Sequence, residues 1–175
     1  MKNINWNAVP DQVELERLKP GGYVCVLKVV TDEPQKEYLK IEYDIAEGVH
    51  KRYYDALYQA KGFWGGTFYR SYKEKALPMF KGFLTAVQES NAGFVFQNEE
   101  KKLEGKLVGL VLSEEEYMGN DGKIKKRLYV SAVRNVDKIH KGDFTVAPLK
   151  TYTKAVSKDG FYPVQENMSD DDVPF

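Results

Sequence analysis

Residues 107–136 read LVGLVLSEEEYMGNDGKIKKRLYVSAVRNV, and no other stretch says as much about the architecture. Leu107 to Leu112 is a short, almost unbroken apolar run of the kind a buried strand needs. Glu114 to Tyr117 carries it outward, and Gly119-Asn120-Asp121-Gly122 is a tight-turn signal between two strands. The partner strand runs from Lys123 to Val136. Side chains alternate across a strand, so Ile124, Leu128, Val130 and Ala132 are predicted on a core face. Lys125, Arg127, Tyr129 and Ser131 are predicted on the other, a basic stripe with a ring in it. No acid occurs from 123 to 136.

Working outward, Tyr23 to Val30 (YVCVLKVV) is a β-branched apolar run that predicts a strand buried on most of both faces. After a turn at Asp32–Lys36, Tyr38 to Ile45 alternates: Leu39, Ile41, Tyr43 and Ile45 point one way, Lys40, Glu42 and Asp44 the other. His50 to Tyr58 is read as a third strand. Ala60 to Arg70 (AKGFWGGTFYR) has no period and reads as a loop carrying large rings. Leu77, Phe80, Phe83, Leu84 and Val87 have helical spacing. Pro78 fits the first turn of that helix, and Asn91-Ala92-Gly93 its stop. A capping box at Ser71 and Glu74 is the alternative start. Upstream, Glu14 to Leu18 could make one helical turn. The expected fold is β-dominated: a five-stranded OB-type barrel with one helix inserted between the third and fourth strands. A helix-bearing sandwich is the alternative.

Composition narrows the class. The 175 residues are 42% apolar and 30% charged, with 26 basic and 26 acidic side chains, which excludes wholesale disorder. No apolar run approaches the ~18 residues a membrane span needs. The start, MKNINWNAVPDQ, has no apolar signal core, so export by a cleaved signal peptide is not expected. The single cysteine, Cys25, excludes an internal disulfide framework and reads as a buried small hydrophobe; a reducing cytoplasm fits. His50 and His140 lack metal spacing, and one cysteine supports no ordinary zinc site. Neither a phosphate-cradling Gly-Lys-Ser/Thr loop nor a GxSxG elbow occurs. Gly62 to Gly66 is no dinucleotide fingerprint, and Glu114–Glu116 reads as a solvated strand end. The expectation is a non-enzyme without cofactor or metal.

The balanced charge conceals an asymmetry. Residues 157–175 hold one base and five acids, leaving 25 bases and 21 acids in 1–156. Of the 23 aromatic residues, eight fall between 51 and 75, beside six bases and two acids. The expected organisation is a nucleic-acid-binding domain over 1–156 and a flexible acidic tail over 157–175, too poor in apolar residues to build a core.

The chain ends Met168-Ser169-Asp170-Asp171-Asp172-Val173-Pro174-Phe175. An acidic cluster closed by an apolar residue, a proline and a terminal ring suits a pocket with an apolar floor and a basic rim. This terminus resembles that of bacterial single-stranded DNA-binding proteins, which end Asp-Asp-Asp-Ile-Pro-Phe. The body is more similar to phage and mobile-element single-stranded DNA-binding proteins of the OB fold, in Leu18-Lys19-Pro20-Gly21-Gly22-Tyr23, in Pro78 to Val87, and in Leu103-Glu104-Gly105-Lys106-Leu107-Val108-Gly109 with its following hairpin. The resemblance implies replication and recombination proteins as partners, docked by Asp170, Asp171, Asp172, Val173, Pro174 and Phe175. It leaves the oligomeric state open, a homo-oligomer included.

A sequence-blind binder of single strands needs flat rings for bases and cations for phosphates. The segments 51–75 and 123–134 supply both. Phe63, Trp64, Phe68 or Tyr69, and Tyr129 are the expected stacking residues; Lys61, Arg70, Lys125, Arg127 and Arg134 the expected phosphate contacts. Each has a plainer reading, the rings as core and the cations as a solvated face. The competing function is a protein-only adaptor, or an inhibitor mimicking such a tail.

Overall fold

The computed structural model describes residues 1–9 and 15–154. The tail and its docking residues Asp170–Phe175 therefore lie outside the described residues, as does Glu14 of the expected N-terminal turn; Leu15–Lys19 is irregular. The main elements are β1 (Gly21–Glu33), β2 (Tyr38–Ile45), α1 (Tyr53–Lys61), β3 (Thr67–Ser71), α2 (Leu77–Ser90), β4 (Leu107–Met118), β5 (Ile124–Arg134) and α3 (Val136–His140). All strand pairs are antiparallel, in the order β3-β2-β1-β4-β5. The five-stranded sheet is compatible with a barrel-like fold but is not closed, and α2 packs against β3, β4 and β5. No helix among the described residues is long and apolar enough to cross a membrane.

The alternation read in β2 is observed. Leu39, Ile41, Tyr43 and Ile45 are buried and meet Cys25, Leu27 and Val30 of β1, Phe68 of β3, Phe83 and Val87 of α2, and Val108, Leu110 and Leu112 of β4. The helix forms where its periodicity predicts. Pro78 sits in the first turn of α2, after a 3-10 turn over Glu74–Ala76, so Ser71 and Glu74 do not start it.

The first half of β1 is covered on both faces, whereas Lys28 and Val29 are exposed, and the cover has a specific reason. Gly22 pairs with Val111 and Val24 with Gly109, which leaves two side-chain-free positions on the outer face. A Cβ at Gly22 would stand 2.5 Å from the Phe144 ring, and one at Gly109 2.4 Å from the Ile139 side chain. The chain after β5 thus lies down on β1 and β4. This buries Val24 and Val111, which strict alternation would leave exposed.

Two expectations are corrected. Residues 50–58 are not a strand; α1 begins at Tyr53. The cause is Asp44, which is 2% exposed. Its Oδ1 accepts the N–H groups of Ile45 at 2.8 Å and Tyr54 at 2.9 Å, and its Oδ2 that of Asp55 at 3.1 Å. Two of the unpaired donors that open a helix are thereby satisfied from another element, and Gly62, at φ 76°, closes the helix. The third strand lies instead at Thr67–Ser71, overlapping the end of the expected ring-bearing loop. Its period was masked by Arg70, a cation on the inward row beside Phe68. One helix does lie between the third and fourth strands, as expected, with α1 added between the second and third.

Tyr43 and Tyr54 meet in the core, hydroxyl to hydroxyl at 3.3 Å. Burial pushes both phenols above their ordinary range, Tyr43 well above it. Burial likewise pushes the Cys25 thiol well up, and its side chain packs in the core.

Replacing Asp44 by Ala should cost about 2–3 kcal/mol of unfolding free energy in urea, because two helix donors and the Ile45 amide lose a charged acceptor; Asp44→Asn should cost less. An unchanged denaturation midpoint for Asp44→Ala would remove it as the organiser of α1. The tyrosines give a pH signature. The folded state holds two phenolic protons that the unfolded chain releases above about pH 10. The pair's contribution is therefore complete below that pH and falls as pH rises beyond it. Absorbance at 295 nm should show two tyrosines ionising only with unfolding.

Candidate nucleic-acid interface

The β4–β5 hairpin projects beyond the sheet, since β1 reaches no further than Leu112 on β4. Residues near Lys150 pair with the vacated edge: Lys150 donates to Glu114 O and accepts from the Glu116 amide. The register puts Tyr117 opposite Lys125, Glu115 opposite Arg127 and Ser113 opposite Tyr129. Lys125, Arg127 and Tyr129 thus share one row, as expected from period two. A bulge follows, because Leu112 pairs with Val130 and Val111 with Ala132, leaving Ser131 as the extra residue. Ala132 therefore leaves the core row in which alternation put it. Arg134, opposite Gly109, joins the row of Lys125, Arg127 and Tyr129.

The same register modifies the electrostatics of the stripe. Arg127 Nε donates to Glu115 Oε1 at 2.8 Å while its guanidinium lies 4.9 Å over the Tyr117 ring. Lys125 Nζ is 3.2 Å from Asp121. On the reverse face Arg17 reaches Glu114 and the Lys126 carbonyl. The stripe is therefore partly neutralised by carboxylates of its own hairpin. Lys125 and Arg127 are themselves about half exposed, and pairs whose cation faces solvent contribute roughly 0–1 kcal/mol, so a phosphate can compete for either cation.

A second face lies on β2–β3. Tyr69 meets Tyr38 edge-on with ring centroids 5.4 Å apart. Lys40, opposite Tyr69 in register, is 3.4 Å from Glu42. Tyr38, Lys40 and Tyr117 were not singled out from the sequence. The signal was present: Tyr38 has the parity of Lys40, and Tyr117 is the cross-hairpin partner of Lys125.

The remaining expected residues divide. Lys61, at the end of α1, is exposed, and Phe63 is 55% exposed. Trp64 is half-buried, donates its Nε1–H to Gly66 O at 2.9 Å, and leans on Tyr54 and Tyr58. It braces the turn into β3, where a Cβ at Gly66 would stand 2.4 Å from the Tyr43 carbonyl. Phe68 is a correction: it is 2% exposed and packed edge-on against Tyr43 and Phe83, so no base can reach its ring. Arg70 is also interior, 4% exposed, with its guanidinium 4.9 Å over Phe68 and Nη1 donating to Tyr69 O. Burial lowers its pKa to about 10, which leaves it charged at neutral pH. Arg70 and Arg134 line one groove, of about 930 Å³, beside α2. The structure thus divides the ten expected residues among the hairpin face, the β2–β3 face, the end of α1, the core and this groove.

Comparison with protein-family models and with curated proteins finds no match for the chain.

Because Glu115 holds Arg127, Glu115→Gln should free that cation. The variant should elute from an immobilised polyanion such as heparin at higher salt than the parent, and Arg127→Ala at lower salt. Identical elution of all three would show that the hairpin face does not meet polyanions.

Proposed function

We propose that the chain binds single-stranded DNA without regard to sequence, on an OB-type scaffold, and recruits replication or recombination proteins through its acidic tip. One observation carries the reading. On two separate strand pairs, partly exposed tyrosines stand beside cations: Tyr38 and Tyr69 with Lys40, and Tyr117 and Tyr129 with Arg127 and Lys125. Stacking on a ring contributes about 1–3 kcal/mol per base whatever the base, and cations neutralise the backbone. Two further features support the reading. The strand order β3-β2-β1-β4-β5, with a helix between β3 and β4, is compatible with an OB-type barrel. The exposed Phe63 and Lys61 add a ring and a cation at the end of α1.

Titration with oligo(dT), followed by tryptophan fluorescence at two salt concentrations, should show binding that weakens as salt rises. The double variants Tyr38→Ala/Tyr69→Ala and Tyr117→Ala/Tyr129→Ala should each weaken it at least tenfold without lowering the melting temperature by more than a few degrees. Trp64→Ala is a poorer probe, since its ring supports the fold. Absence of any response to oligo(dT), with partner capture through the tail intact, would select the adaptor instead.

A further inference from the structure

We propose that the groove bounded by α2 and the outer edges of β3 and β5 holds the sugar–phosphate backbone of a bound single strand, a contact region apart from the tyrosine faces. This rests on the reading of the chain as a single-strand binder and names where the backbone runs.

The groove is built by topology. Among the described residues β3 pairs only with β2, and β5 only with β4, so two strand edges face one channel with α2 as its floor. Among the described residues three accessible bases line it, Lys81, Arg134 and Lys138, with the buried Arg70 behind them, against two acids, Glu89 and Asp143. Glu89 is already engaged, accepting from Asn135 Nδ2 at 2.7 Å. Among the described residues no carboxylate lies within 4.0 Å of the charged ends of Lys81, Arg134 or Lys138. Arg134 instead donates to the Val133 carbonyl. Arg70 is buried behind this lining, its guanidinium over the Phe68 ring and donating to the Tyr69 carbonyl, and adds positive potential and not a direct contact.

The accessible cations come from three elements, α2, β5 and α3. A nucleic-acid backbone offers a phosphate to each in turn, and guanidinium groups suit phosphate geometry.

A separate observation comes from Gly82, in the middle of α2 and on the groove floor. Helix interiors disfavour glycine. Nothing stands within 4 Å of where its Cβ would be, so packing does not require it. Its effect is to keep the helix surface bare inside the groove, where a sugar or phosphate can approach the backbone closely.

The test uses the full chain and oligo(dT). Arg134→Ala/Lys138→Ala should weaken binding at least tenfold at low salt and reduce the slope of log affinity against log salt by about 1.4, the value for two lost phosphate contacts on a single strand. Gly82→Gln should weaken binding similarly while keeping or raising the melting temperature, because glutamine is the better helix former. A purely structural role for Gly82 predicts the opposite pairing of effects. Unchanged affinity and slope in both variants, with the parent binding normally and the Tyr38/Tyr69 variant impaired, would overturn the groove and leave the single-strand reading standing. Failure of the parent itself to bind oligo(dT) would overturn both. If a synthetic peptide of residues 168–175 binds the parent and is lost in Arg134→Ala/Lys138→Ala while oligo(dT) is unaffected, the groove is an acidic-peptide site and the proposal falls.

Discussion

A carboxylate taken out of water at the end of β2 sets much of this molecule. Asp44 stands in the core with its oxygens committed to three backbone N–H groups, and a buried charge is tolerated only when it is so engaged. The consequence is geometric. The chain leaving β2 must turn and present the first turn of a helix to that carboxylate. α1 is thereby placed over the mouth of the sheet, with Tyr54 against Tyr43. The short run Trp64–Gly66 then returns to β2, where Gly66 accepts the Tyr43 amide and starts β3. Trp64, Gly66, Tyr43 and Tyr54 are one packed unit around that junction.

A second constraint decides which surface stays open. Gly22 and Gly109 make a shallow trough on the outer side of β1 and β4, and Ile139 and Phe144 fill it. The middle of the sheet is closed to any ligand as a result. What remains accessible lies to either side: Tyr38, Lys40 and Tyr69 on β2–β3, and the projecting hairpin with Tyr117, Lys125, Arg127 and Tyr129. A strand binding this chain would use those flanks and the channel between the sheet's two edges, not a track across its centre.

Charge on the hairpin is a property of the pair of strands and not of β5. The run Lys125-Lys126-Arg127 and the run Glu114-Glu115-Glu116 occur eight residues or more apart in sequence, yet antiparallel register sets them side by side. Loose neutralisation of this kind keeps an exposed edge strand soluble and discourages edge-to-edge pairing. It also leaves cations that can exchange a weak carboxylate contact for a phosphate.

How far the chain could be read from its letters follows from the range of the forces involved. The hairpin at Gly119–Gly122, the alternation of β2 and the place of Pro78 in the first turn of α2 depend on neighbours a few residues away, and each was legible; the apolar run of β1 was legible too, but what covers its outer face comes from Ile139 and Phe144, far along the chain. Residues 50–58 were misread because their helix is capped by Asp44, distant enough in sequence to be invisible to local pattern, and 67–71 because a buried cation interrupted the apolar period. The site divided along the same line. Parity placed Lys125, Arg127 and Tyr129 together from sequence, whereas the interior position of Phe68 and Arg70, the shift of Arg134 by a bulge, and the place of both arginines along one groove beside α2 depend on contacts between strands. Sequence alone determined which residue types were available, the strand periods and the turn chemistry. Only tertiary structure decided which rings stayed at the surface and which cations kept partners, because burial and cross-strand pairing are set by register and by what packs on each face.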